Sequence, residues 1–306
     1  DGEGCGVWYA RADRSEFAQP GSALFDEALR RGASFYLPGL MVPMLPEALS
    51  EGLVSLNPGV DRRAMVFVMR VDATGKCFDT ELKHARVRSR AKLAFGQVQS
   101  FYDGDETALD TGFAEGAQAE RAAVETSLGA LAEVGLLRDR RASERGVVRY
   151  RRVEVAVKLG DQGHRFVILQ DVRRPVERYN EQVSLLCNVE GAKLLRGAML
   201  ADALVDADEG RPDARIEPIF RVHPPPPANR LEMFEKILVA LSERHGLDSR
   251  RWCWTRGQDL GAFRDALPTE GPEGRIARAI HRQAVILNTR STFGPEPGGH
   301  HGVGAD

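Results

Sequence analysis

The sequence predicts an α+β fold, one large domain of mixed β-sheets flanked by helices, and three observations predict it. Strand-like and helix-like periods are interleaved without strict alternation, which argues against a wound parallel sheet. The 306 residues are enough for a sizeable core. No internal repeat recurs along the chain, so a solenoid or propeller is excluded.

The elements read as follows. DGEG at the start is turn chemistry, and VWYARAD after it is strand-like. Ser22 to Arg31 has helical spacing, with Ser22 as N-cap and Gly32 as C-cap. SFYLPG is a short strand stopped by Pro38, and MVPMLPEALSEGL reads as a loop with one helical turn. Ala64 to Asp72 is a strand, ATGK a turn, and Phe78 to Val87 a second strand. Leu93 to Tyr102 reads as helix, Asp103 to Gly116 as an exposed acidic loop, and Ala117 to Leu137 as an amphipathic helix. Val147 to Leu159 and His164 to Asp171 are two strands about the turn GDQG. The longest helical pattern runs from Pro175 to about Leu204, with proline in its first turn. PIFRVH is a strand, Pro224 to Pro227 a stiff spacer, and Ala228 to Arg244 a helix, followed by helices at 258–267 and 274–286.

Composition excludes several classes. Charged residues are 28% and apolar ones 42%, so wholesale disorder is not expected. Lys plus Arg is 42 against 44 Asp plus Glu, a net of −2, which excludes a globally basic coat for nucleic acid but not local basic tracks. Cys5, Cys77, Cys187 and Cys253 lie far apart without a CxxC pair, which suits a reducing compartment. There is no 18-residue apolar run and no signal-peptide layout, so the expectation is a soluble cytoplasmic protein with no membrane partner. Asp at position 1, and a last segment GGHHGVGAD that stops in mid-motif, predict a piece of a longer protein, incomplete at both ends.

Three tracts could carry chemistry. The first is 82–92, LKHARVRSRAK, where Arg86, Arg88, Arg90 and Lys92 share a face at strand spacing. Four cations on one face repel unless a polyanion or an acidic partner lies across them. The other reading is a solvated edge strand, for which charged side chains are a normal protection. The second is Arg138 to Arg152, seven arginines against Asp139 and Glu144 for a local balance of +5. Tyr150 sits among them, placed to stack on a base. Its alternative is a solubilising loop. The third is the helix from Pro175, whose Glu177, Glu181, Ser184 and Asn188 recur on one face at i, i+4, i+7 and i+11. That stripe is either an ordinary exposed face or the wall of a wet cleft with Glu181 aimed at a substrate. HExxH, GxxxxGK[ST] and GxSxG motifs are absent, so nucleoside-triphosphate and serine-nucleophile mechanisms have no support. His164 and His223 read as structural residues.

A resemblance adds to these readings. The run Asp13, Ser15, Pro20–Gly21–Ser22, Arg31–Gly32, Tyr36, Pro38, Pro43–Met44–Leu45–Pro46, Leu49–Ser50, Leu53, Ser55–Leu56 and Arg62 resembles the RNB domain of the ribonuclease II and ribonuclease R exoribonucleases. So do RAKLAFGQV, RRPVERYNEQVSLLCNVEGAKLL, FRVHPPPP and FGPEPGGHHGVGA, in the family's order. The resemblance implies processive 3′-to-5′ hydrolysis of single-stranded RNA to nucleoside 5′-monophosphates, with Mg²⁺ as cofactor. It places the family's aspartate cluster before Asp1 and an arginine motif after Asp306. Flanking oligonucleotide-binding domains in the full protein are implied as well. Tyr36 matches the tyrosine that packs at the scissile nucleotide, and Glu181 the glutamate that orients the terminal one. RNA contacts are implied at Phe95, where the family often has an aromatic, and at Arg62, Arg178, Asn188 and His300. Gln182 stands where the family has a second glutamate, and Asp13 is expected to be a structural carboxylate. The rival is an RNB relative that clamps RNA or a protein without cutting. A protein-interaction module using Pro224 to Pro227 is a third reading.

Overall fold

Helix α1 (Ala23–Arg31) shows how local chemistry fixes the ends of an element. The Ser22 side chain accepts from the Phe25 N–H at its start, and Gly32, at φ 68°, closes its end. The computed structural model describes residues 4–145, 154–160, 163, 165–171, 173–205, 218–287 and 289–305. Two compact units divide the chain: Asp1–Arg138 with Arg152–Cys187, and Asp139–Arg151 with Asn188–Asp306. Helices and strands are mixed in it, as the α+β expectation requires.

In the first unit, β1 (Gly4–Ala12) precedes α1, and β2 (Phe35–Leu37) and β3 (Leu40–Val42) follow as an antiparallel hairpin. Pro38 does not end a lone strand: Pro38–Gly39, with Gly39 at φ 76°, turns the chain back into β3, which the loop reading of MVPM had missed. β4 (Asp61–Asp72) and β5 (Cys77–Arg88) complete an antiparallel sheet in the order β1-β4-β5. On β4, Ala64 and Val66 are buried toward one end and Met69 and Val71 toward the other. Met69 and Val71 are fully buried with Leu186 and Cys187, and Val7, Tyr9, Phe67 and Cys77 pack around them.

Helix α2 (Phe95–Tyr102) leads into the 103–116 segment, which is not simply an exposed loop. Leu109 is fully buried in one cluster with Val98 and Val176, because an apolar side chain there can reach the helices beside it. Helix α3 (Arg121–Glu144) runs farther than its apolar period indicated, since arginines are good helix formers. β6 (Glu154–Leu159) and β7 (Phe166–Asp171) pair antiparallel, and α4 (Pro175–Val205) follows as read from the sequence.

In the second unit, β8 (Phe220–Val222) pairs with β9 (Thr292–Gly294), a strand the sequence did not announce. Between them lie α5 (Ala228–His245), the short α6 (Ser249–Trp252), α7 (Leu260–Asp265) and α8 (Gly271–Leu287). Ala277, Ile280, Ala284 and Leu287 recur at helical spacing on α8 and pack with Phe234, Leu238, Trp252 and Trp254. No helix among the described residues is long and apolar enough to cross a membrane.

Candidate RNA-contacting site

The start of α4 is pinned from two sides. The Val176 N–H donates to Gln99 Oε1 of α2 at 3.3 Å, and Tyr9 Oη of β1 donates to Ser184 Oγ at 3.3 Å. Val183, Leu186 and Cys187 face the core, so the opposite side of the helix is turned outward. There a cavity of about 450 Å³ is lined by Phe95, Arg173, Glu177, Asn180, Glu181, Ser184 and Leu185. Three of the four residues in the polar stripe read from the sequence therefore line a cleft, and Asn188 does not.

The cavity has internal order. Arg173 Nη2 lies 2.9 Å from Glu181 Oε2. Glu177 accepts from the Arg174 backbone N–H at 3.0 Å, which caps the helix start. Glu181 is thus the carboxylate left facing the cleft, with a guanidinium at its side and the half-exposed Phe95 ring at the rim. Such a set offers a stacking face, hydrogen-bond acceptors for hydroxyls and a cation for a phosphate. Arg173 and Asn180 were not singled out from the sequence. A cation just ahead of the helix-starting Pro175 was the available signal.

Tyr36 lies elsewhere. It sits on β2, 77% exposed, and is not among the residues lining the cavity. The expected pairing of Tyr36 with Glu181 in one cavity is not met, because the turn at Pro38–Gly39 carries Tyr36 out on its own hairpin. Arg178 is exposed on α4 and does not line the cavity either. Tyr150 falls outside the described residues, as does the whole of 146–153 around it.

The basic tract 82–92 needs correction. β5 ends at Arg88, so Arg90 and Lys92 do not continue its face. Carboxylates distant in sequence lie across these arginines. Arg88 Nε is 2.6 Å from Asp61, Arg86 Nε is 3.6 Å from it, and Arg90 Nε is 2.7 Å from Glu120. The hydrogen bond from Arg88 holds the Asp61 carboxyl below the usual carboxylate range, with Arg86 and Arg90 adding to it. Arg62 points to the other sheet face, where its guanidinium donates to the carbonyls of Ser55, Asp61 and Gly52. Three of its five N–H donors are used there. In the second tract, Arg138 is buried and donates to the Gly75 carbonyl, and residues through Glu144 are helical rather than a loop.

Asp13 is buried and accepts from the Ser15 hydroxyl at 2.6 Å and the Ser15 N–H at 3.2 Å. The Ser15 hydroxyl bond is the main cause of its lowered pKa, which suits the structural carboxylate expected there. In the second unit His223 accepts from the Gly302 N–H at Nδ1 and so donates from Nε2 to the Thr289 carbonyl. The His300 ring lies 5.1 Å from it, and His300 Nδ1 is buried without a hydrogen bond. Among the described residues no group of three or more His, Cys, Asp or Glu side chains is placed to hold a metal ion. The described residues do not fit a Mg²⁺ site.

Comparison with known proteins places this geometry in a family. The chain is 33% identical to ribonuclease R of Vibrio cholerae over 247 residues, 81% of this chain and 27% of that protein. It is also similar in fold to Mycoplasma genitalium RNase R solved with ribose-methylated single-stranded RNA, with a TM-score of 0.76, 19% identity, and coverage of 100% of this chain and 42% of that one. Yeast Ssd1, described as a pseudonuclease, matches with a TM-score of 0.61 and 14% identity over 98% of this chain and 33% of its own. The chain thus spans well under half the length of these relatives. The RNB domain family matches residues 2–306, and with the ordered motifs and the relatives it follows that this chain belongs to the RNB domain family.

Proposed function

We propose that this chain is the RNA-gripping body of a 3′-to-5′ exoribonuclease of the ribonuclease R type, which trims single-stranded RNA processively to nucleoside 5′-monophosphates. The observation that carries the reading is the α4 cavity, where Phe95, Arg173, Asn180 and Glu181 converge. The Phe95 ring stacks on a base, an interaction worth about 1–3 kcal/mol. Glu181 accepts hydrogen bonds from ribose hydroxyls, which a deoxyribose cannot fully supply. Arg173 holds the Glu181 carboxylate in place and presents its remaining N–H groups to a phosphate. Tyr36, on its exposed hairpin, is a separate contact that sets the length of the limit product. Mg²⁺ is the expected cofactor of the hydrolytic step, and the described residues are not assigned to hold it. Flanking oligonucleotide-binding domains would lengthen the RNA path. Four free cysteines fit the cytoplasm as its place of action.

The test is a 3′-end-labelled assay on the full-length protein with Mg²⁺, comparing single-stranded RNA, its deoxy counterpart and duplex RNA. Single-stranded RNA should be trimmed first, and Glu181→Gln should narrow the preference over DNA. Equal degradation of single strand and duplex would refute the single-strand reading. A second reading has support from the pseudonuclease relative. It is an RNB protein that binds RNA without cutting, and it predicts tight single-strand binding with no mononucleotide released.

A further inference from the structure

The sheet holds an arrangement that simple strand chemistry disfavours. Arg63 of β4 and Arg86 of β5 are direct cross-strand partners, and like charges placed opposite each other destabilise a sheet. His84 lies two residues before Arg86 and so shares its face. These three side chains border a concavity of about 490 Å³, lined also by Asp61, Arg62, Ala64 and Ala85. It shares no lining residue with the α4 cavity.

The local carboxylates orient these cations more than they neutralise them. Asp61 is hydrogen-bonded by Arg88, whereas its 3.6 Å separation from Arg86 is too long for a hydrogen bond. The Arg86 side chain is 79% exposed and lies 3.6 Å from Asp61, beyond hydrogen-bond reach. Glu16 pairs with Arg63 at the surface, where such a pair is weak and open to exchange. Asp13 stands 3.6 Å from His84 Nδ1, with Oδ1 already taken by Ser15. Two guanidinium forks and an imidazole therefore face an open hollow of a size suited to a phosphate with its sugar.

The geometry points to a backbone-phosphate notch for the RNA strand, formed by Arg63, His84 and Arg86. It rests on the single-stranded RNA reading above and adds a contact away from the α4 cavity. The notch reads no base, because guanidinium groups on a sheet surface grip phosphates by charge. It serves to hold the strand while its end is processed.

The test is the salt dependence of single-stranded RNA binding by the full-length protein, followed by fluorescence anisotropy. For a single strand the slope of log affinity against log salt changes by about 0.7 for each phosphate contact. Arg63→Gln with Arg86→Gln should make that slope shallower by about 0.7 and weaken binding at low salt. Arg70→Gln removes one arginine from the opposite face of the same strand, where it pairs with Asp79, and should leave the slope unchanged. The double variant is expected to keep the wild-type unfolding midpoint. An unchanged slope in the double variant, or an equal loss in Arg70→Gln, overturns the notch while the RNA reading stands. A protein that binds no single-stranded RNA overturns both.

Discussion

Replacing Gly135 by alanine tests whether close helix packing positions the α4 cavity. An ideal Cβ at Gly135 would lie 2.4 Å from Tyr179 Cβ and 2.7 Å from Tyr179 Cα. Carbon atoms rest at about 3.5–4.0 Å, so α3 and α4 would have to part by about 1 Å. Rotamer changes give no relief, since the clash is with backbone and Cβ. Overpacking of this kind costs about 1–3 kcal/mol, while alanine gains up to about 1 kcal/mol over glycine in a helix. The net expectation is a loss of up to about 2 kcal/mol. Tyr179 precedes Asn180 and Glu181, both of which line the cavity, and a displacement of that size can lower turnover by up to about 100-fold. Gly129 on the same helix is the control: nothing lies within 4 Å of its ideal Cβ, so alanine there should stabilise by about 0.5–1 kcal/mol. Urea midpoints of both variants, with RNA binding measured alongside, decide the matter. If Gly135→Ala is as stable as wild type, or Gly129→Ala falls with it, the packing argument is wrong.

Three further outcomes are expected. Leu238 is fully buried in the α5–α8 core, so Leu238→Ala should lower stability by about 2–5 kcal/mol in the same denaturation assay, and a loss under 1 kcal/mol would show that the core collapses around the gap. Burial first, and then His223 nearby, hold His300 and His301 below their ordinary pKa of 6.5. The unfolded chain therefore binds protons before the folded one as pH falls through 6.5, and stability must drop on acidification below that point. Midpoints at pH 8 and pH 5.5 should differ, the difference should shrink in a His300→Gln/His301→Gln variant, and equal shifts in both proteins would contradict it. Finally, Asp61→Asn removes the carboxylate that holds Arg88 and faces Arg86. Anisotropy should show tighter single-stranded RNA binding, and weaker binding would count against the notch.

The helices were legible because their signals are local. Ser22 and Gly32 bracket α1, Pro175 opens α4, and the 3–4 spacing of Ala277, Ile280, Ala284 and Leu287 marks α8. The elements that were missed depend on partners remote in sequence. β9 has three residues and exists because β8, some seventy positions earlier, offers it a ladder. Leu109 looked like part of an acidic loop because Val176, which helps bury it, belongs to another helix. Window-based reading weighs the residues on either side and cannot see such contacts.

Charge suffers most from this blindness. Read as a string, 82–92 is a row of cations with nothing to balance them, and its face was extended through Arg90 and Lys92. In the fold, Asp61 and Glu120 lie across the tract, and the strand ends before its last two cations. Yet the carboxylates do not erase the electrostatic signal. Exposed pairs contribute about 0–1 kcal/mol each, less than a polyanion gains by releasing counterions from several phosphates at once. Pairing therefore selects which arginines remain available. Arg88 and Arg90 are engaged at hydrogen-bond distance, while Arg86 is held loosely beside a residue, Arg63, that lies outside the tract. The basic stretch falls largely on β5, and the pairing across β4 and β5 decides which of its side chains stay exposed.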